Sequence, residues 1–217
     1  MTLFMRLAAV LAFLDFTVPV LADKPGPDND YGRSNPGGLT VQWEPLLQGT
    51  GLDGWSESGS PWTPGGWARD GDSVIGRIPG QSKSRITQGD TSWINYEFSV
   101  HATLEVGSNL QFHFRVTEND EEYYMVELDY SWQSINISRR GPNTFVKLSV
   151  VNFALEEGRE YHIVISARGQ SLTTYIDGML VNQLTDDSYS RGGVGLNMWW
   201  TTTANFRDPK IRHYKWP

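Results

Sequence analysis

The sequence predicts an all-β protein, an antiparallel β-sandwich of jelly-roll type. Short runs of alternating apolar and polar residues recur from Leu39 onward, with the period of two that a half-buried strand requires. Turn signals built from Gly, Asp and Asn separate these runs at regular spacing. No stretch of about ten residues keeps a helical period, and Asn152 to Glu157 allows one turn at most.

The elements follow in order. Residues 1–22 read as a signal peptide. Arg6 gives the positive n-region, residues 7–14 the apolar run, and Val20-Leu21-Ala22 a small-x-small cleavage site before Asp23. Asp15 and Pro19 interrupt the run, and about 16 residues is short for a bilayer span. A secreted or periplasmic protein without a membrane span is therefore expected. Residues 23–38 are Pro, Gly, Asp and Asn with almost nothing apolar, which reads as a flexible leader. Residues 39–217 then form a single jelly-roll domain, without internal repeat or change of composition. Its strand candidates are 73–78, 93–102, 109–116, 122–131, 134–140, 145–151, 160–168, 171–177 and 193–200.

Composition narrows the function. A chain of 217 residues suits one well-packed domain, and 39% hydrophobic content fits a globular one. The net charge of −7, with no Lys/Arg cluster, argues against a nucleic-acid partner. With no cysteine there is no disulfide, no thiolate metal site and no Cys nucleophile. Nine Trp is a heavy load for one domain, because each buried indole N–H needs a partner; some of these rings should serve a surface. A monomer is expected.

The phase of the alternation locates that surface. In 109–116 the core set is Leu110, Phe112, Phe114 and Val116, leaving Asn109, Gln111, His113 and Arg115 on the other face. In 122–131 Tyr123, Met125, Glu127 and Asp129 take the polar side, and in 134–140 Asn136, Ser138 and Arg140 do so. Short turns join these strands, so they should be neighbours whose polar sides coincide. A plain solvated face would also be polar, but one without Lys and rich in amide, His, Arg and carboxylate groups points to a ligand or catalytic face. Glu127 and Asp129 lie roughly 7 Å apart along one strand face, close enough for one to act as acid and the other as base. His113 is an alternative base and Arg115 a candidate for holding a developing oxyanion. A cross-strand pairing of the carboxylates with Arg115 or Arg140 is the structural alternative.

Several landmarks resemble the 3-keto-disaccharide hydrolase domain family, formerly a domain of unknown function. LLQGTGLDGW (46–55), Gly66-Trp67-Ala68-Arg69-Asp70-Gly71, Asn95-Tyr96-Glu97-Phe98 and Phe114-Arg115 follow in the family's order. Tyr175-Ile176-Asp177-Gly178, Gly193-Val194-Gly195-Leu196-Asn197 and Asn205-Phe206-Arg207-Asp208 complete it. The pattern is also similar to laminin-G-like and fructan-binding carbohydrate-binding modules. Both resemblances imply a concanavalin A-like jelly roll with an oligo- or polysaccharide ligand on one sheet. The first implies hydrolase- or lyase-type cleavage of 3-keto-glycosides. The ketone acidifies the C2 proton, His113 or Glu127 removes it, Asp129 protonates the C1 leaving group, and Arg115 steadies the enolate-like oxygen. The second implies a non-catalytic module recognising a glycan on the same face. Substrate-binding candidates are Gln111, Arg115, Tyr123, Asn136, Asn197 and Trp199.

Where the hydrolase family often carries Gln and His after its last Gly-Leu, this chain has Asn197-Met198-Trp199. Asn197 and Trp199 share the polar phase, and Trp199 is either a stacking platform for a sugar ring or an edge-strand cover for the core. Laminarinase-type glucanases place three alternating acids on such a strand. Here Ser131 stands in the third position, which removes one of the two groups retaining hydrolysis needs. No cofactor and no metal ligand set is expected; Asp70-Gly71-Asp72, which calcium would also suit, reads as a turn. Asn136-Ile137-Ser138 matches an N-glycosylation sequon, in conflict with a ligand role for that face.

Overall fold

The computed structural model describes residues 42–59, 66–80 and 82–214. The signal peptide, the leader and the first residues of the expected domain lie outside the described residues. Among those described there is no helix, and the strands run β1 (Glu44–Pro45), β2 (Ser56–Gly59), β3 (Gly66–Asp70), β4 (Ser73–Ile78), β5 (Lys83–Gln88), β6 (Tyr96–Val106), β7 (Asn109–Val116) and β8 (Tyr123–Asp129). Then follow β9 (Ser134–Gly141), β10 (Thr144–Asn152), β11 (Glu160–Arg168), β12 (Ser171–Ile176), β13 (Met179–Thr185), β14 (Gly193–Trp199) and β15 (Thr202–His213). They form two antiparallel sheets. An eight-stranded sheet runs β13-β12-β11-β6-β15-β4-β3, with β1 on β15, and a seven-stranded sheet runs β10-β9-β8-β7-β14-β5-β2.

The core lies between the sheets and is made by one phase of each strand. Phe112, Phe114, Leu110, Val126, Leu128, Ile135 and Ile137 from the seven-stranded sheet meet Phe98, Val100, Ile163, Ile165 and Phe206 from the other, all fully buried. Phe112 and Phe206 pack edge-to-face across the sheets at 5.9 Å. Each such side chain contributes about 1.5–3 kcal/mol by leaving water, and with no disulfide this burial carries the fold. The expected alternation of β7, β8 and β9 is therefore the observed one except at Arg115, and the three are hydrogen-bonded neighbours.

Two strands escape the alternation pattern. In β15, Pro209 falls within a register shift between Arg207 and Lys210, where Asp208 takes φ 49°. A bulge is where a central strand tolerates proline. β5 is polar throughout except for Ile86. Asp70 and Gly71 lie in the β3–β4 hairpin connection, Gly71 at φ 62°.

The outer face of the eight-stranded sheet carries a stacked pair of imidazoles, His101 and His162, 4.3 Å apart. His162 Nε2 lies 2.9 Å from Ser99 Oγ. Burial, followed by its histidine neighbour, pushes His162 down to about 4. Burial and then Arg207 lower His101 as well.

Gly192 sits at φ 141°, and an added Cβ would lie 2.3 Å from the Arg115 carbonyl carbon, whereas Gly158 at φ 74° meets nothing within 4 Å. Gly192→Ala should therefore cost at least about 1–3 kcal/mol and more than Gly158→Ala in urea unfolding; equal costs would contradict the close approach. His162 titrates lower folded than unfolded, so its contribution is complete above about pH 6.5 and is lost as pH falls toward its folded value. Between pH 7 and pH 5 the unfolding midpoint should drop, and His162→Gln should lessen the drop.

Candidate functional site

On the outer face of the seven-stranded sheet, the register sets one residue per strand in a single transverse row. Ser58 lies opposite Arg85, Arg85 opposite Asn197, Asn197 opposite Gln111, Gln111 opposite Glu127, and Glu127 opposite Asn136. The central members are joined by side-chain hydrogen bonds. Asn197 Nδ2 donates to Gln111 Oε1, Gln111 Nε2 donates to Glu127 Oε1 at 2.8 Å, and Asn136 Nδ2 donates to Glu127 Oε2 at 3.3 Å. Ser134 Oγ donates to Asn136 Oδ1 at 3.3 Å. Amide protons thus converge on Glu127 from both sides, fixing its rotamer and leaving each oxygen one further lone pair. These side chains are buried although they face away from the core: Glu127 is 8% exposed, Gln111 5%, Asn197 4% and Asn136 fully enclosed. An ordinary wet sheet face does not bury its amides.

From Ser58 to Glu127 the row is the floor of a cleft of about 590 Å³, and Asn136 backs it through its hydrogen bond to Glu127. Aromatic and apolar walls come from Trp199, Tyr123, Met125 and Phe145, with Trp199 and Phe145 42% and 48% exposed. Lys83 and Arg85 from β5 and Arg140 from β9 also line it, with Ser58 and Asn109. Trp199 therefore faces the cleft and does not cover the core. Several buried polar atoms on this face have no partner among the described residues: Asn109 Oδ1, both ring nitrogens of His113 and Ser138 Oγ. Among the described residues, no three His, Cys, Asp or Glu side chains are grouped to hold a metal ion.

The expected site residues divide. Gln111, Tyr123, Glu127, Asn197 and Trp199 line the cleft, and Asn136 joins them through its hydrogen bond to Glu127. His113, Arg115 and Asp129 do not join them as reacting groups. His113 is 1% exposed and lies flat against Tyr123, ring centroids 4.0 Å apart. Burial first, then Arg85 and Lys83, hold it well below the usual histidine value, so it is neutral. Asp129 Oδ1 accepts from the Ser131 and Trp132 backbone N–H groups at 3.1 Å each and caps the β8–β9 turn. Arg115 leaves the alternation. It lies at the register shift where β14 passes from Gly193 to Val194, with φ 52°. Its guanidinium donates to the carbonyls of Tyr189, Ile94 and Gly169 at 2.8, 3.3 and 2.5 Å. It ties the end of the sandwich together instead of reaching the cleft. Neither Arg115 nor Arg140 pairs with Glu127 or Asp129; amides and turn N–H groups occupy those oxygens. Asn136, enclosed in mid-strand, is closed to glycosylation in the folded protein.

Sequence reading passed over Ser58, Lys83, Arg85 and Phe145. The signal for β5 was present in KSRITQ. With Ile86 inward, Lys83, Arg85 and Thr87 share the outward phase.

Comparison with known proteins accords with this geometry. A carbohydrate-binding module, CBM66 from Bacillus subtilis, superposes with a TM-score of 0.63 at 22% identity, covering 73% of this chain and 95% of that one. The β-glucanase of Bacillus licheniformis superposes with a TM-score of 0.58 at 12% identity, covering 81% and 98%. These likenesses establish the concanavalin A-like jelly roll. An extracellular exo-α-L-arabinofuranosidase of Streptomyces chartreusis is 27% identical over 143 residues, 62% of this chain and 17% of that protein's length. The chain thus corresponds to a small part of that relative. The model of the 3-keto-α-glucoside-1,2-lyase-like domain matches residues 42–212, and the chain belongs to that family.

Proposed function

We propose that the protein binds a saccharide in the cleft of the seven-stranded sheet and acts as a glycan-binding module. The observation that carries this reading is the hydrogen-bonded row Asn197–Gln111–Glu127–Asn136 beneath an aromatic rim. A sugar presents vicinal hydroxyls on its edge and C–H groups on its face. Glu127, with one lone pair free on each oxygen, suits a hydroxyl pair, and the indole of Trp199 suits an apolar ring face. Because the row is already ordered by its own hydrogen bonds, binding loses little side-chain entropy there. The likeness to a carbohydrate-binding module supports the same ligand class. The small share of the arabinofuranosidase that the chain matches is what an appended module would give. Export to the periplasm or exterior, where polysaccharides are met, agrees with the signal-like first 22 residues.

Family membership favours a second reading, lyase-type cleavage of 3-keto-glycosides. In it Glu127, the carboxylate on the cleft floor, removes the C2 proton beside the ketone. The expected partners of that step are engaged elsewhere: Asp129 caps a turn and His113 is stacked on Tyr123. Binding is therefore the reading the side chains favour.

Affinity electrophoresis in gels containing soluble glycans tests it. The wild type should be retarded by at least one of them, and Trp199→Ala and Gln111→Ala should each weaken binding about tenfold, the equivalent of ~1.4 kcal/mol. Glu127→Ala should weaken it more, since it removes the acceptor at the centre of the row. Retardation unchanged in Trp199→Ala would place the ligand elsewhere. Release of free sugar from a 3-keto-glycoside, abolished by Glu127→Gln, would establish catalysis instead.

A further inference from the structure

The charge lining the cleft is opposite to that of the protein. The chain as a whole carries −7, yet the cleft is lined by three cations, Lys83, Arg85 and Arg140, and one carboxylate, Glu127. Both oxygens of that carboxylate already accept amide protons. Arg85 is partly satisfied: it lies 3.2 Å from Asp120 Oδ2 and donates to the Asp120 carbonyl at 2.9 Å. Lys83 and Arg140 are exposed, and neither has a carboxylate within ion-pair distance among the described residues.

The positions of these cations come from the register. Lys83 lies opposite Trp199, and Arg140 lies opposite Tyr123 on one side and Phe145 on the other. Each aromatic wall thus has a cation beside it, and Arg85 lies between, over the Tyr123 ring at 5.1 Å from its centroid. Arg85 shares one neighbour with each end of the group. Arg85 and Lys83 both disfavour a charge on His113, and Arg85 and Arg140 both act on the Tyr123 hydroxyl. A neutral saccharide filling this cleft would strip water from Lys83 and Arg140 and return no charge. Partial desolvation of an unpaired cation is costly, and an anion placed beside it offsets that cost. Guanidinium groups also match the planar oxygens of carboxylate and sulfate.

Resting on the saccharide reading above, we propose that the preferred ligand is an acidic saccharide. Its sugar rings pack on Trp199 and Tyr123, and its carboxylates or sulfate esters lie beside Lys83 at the Trp199 end of the cleft and beside Arg140 at the Tyr123 end. Both substituents present the same oxyanion chemistry to these cations, and the choice of glycans below separates them.

Calorimetric titration with four oligosaccharide sets tests the assignment: galacturonate oligomers, sulfated galactan oligomers, and their neutral counterparts, galactan and glucan oligomers. At least one acidic set should bind ten-fold or more tighter than its neutral counterpart, and the advantage should shrink as NaCl rises from 50 to 500 mM. Lys83→Gln and Arg140→Gln should each reduce acidic-ligand affinity about tenfold. Both side chains are exposed, so unchanged thermal unfolding will show that the variants remain folded. Arg159→Gln, in the connection before β11 of the other sheet, should leave binding unchanged. Trp199-dependent binding of neutral glycans with no acidic preference would overturn the charge assignment and leave the saccharide reading standing. Acidic binding that persists undiminished in Lys83→Gln/Arg140→Gln would also overturn it, as charge attraction outside the cleft. Binding of none of the four sets would contradict both.

Discussion

The cleft depends on antiparallel register. Asn197, Gln111, Glu127 and Asn136 come from four strands, and they meet only because each is the direct cross-strand partner of the next. A slip of one residue in β8 would turn Glu127 toward the core and Leu128 toward the cleft. What prevents the slip lies on the opposite face. Phe112, Val126 and Ile137 form a parallel row one pleat away, fully buried against the other sheet. The site is thus the reverse side of the core, and the burial free energy that holds the sandwich also holds the amides in line.

The hydrogen bonds within the row then do something burial cannot. They point amide donors at one carboxylate from both sides, so the acceptor is fixed before any ligand arrives. Such preorganisation suits recognition of a hydroxyl pair, where the gain per hydrogen bond is small and conformational entropy decides the outcome. The groups expected to share the chemistry with Glu127 serve the fold: His113, the alternative base, as a neutral ring against Tyr123, Asp129, the expected acid, as a turn cap, and Arg115, the expected oxyanion holder, as a clamp on three carbonyls. The chain belongs to a lyase-like family, and Glu127 is the carboxylate on which both the proposed binding role and the lyase reading turn.

Sequence reading located most of the floor, because alternation of period two in β7, β8, β9 and β14 is unbroken where Gln111, Glu127, Asn136 and Asn197 fall. It misplaced Arg115 for a definite reason. The register shift opposite Gly193 puts Arg115 at positive φ, and a bulge changes the face without changing the pattern of residue types. The Gly192-Gly193 pair was the available signal, since Gly192 admits no Cβ beside Arg115. The role of Asp129 depends on turn geometry, which an alternation argument does not carry. The cationic side of the cleft was hidden because β5 has one apolar core residue, Ile86, too few to mark a strand. The face, read from β7, β8 and β9 alone, therefore appeared to lack lysine.

Ligand contact on the outer face of the seven-stranded sheet can be read by side-chain NMR, because Gln111, Asn136, Asn197 and Trp199 all carry observable N–H groups. On titration with a mixture of neutral and acidic oligosaccharides, the amide signals of Gln111 and Asn197 and the Trp199 indole should shift. Signals of Asn182 and of His162 on the other sheet should stay unmoved. Shifts centred on the eight-stranded sheet, with the Gln111 and Asn197 amides unperturbed, would contradict that contact.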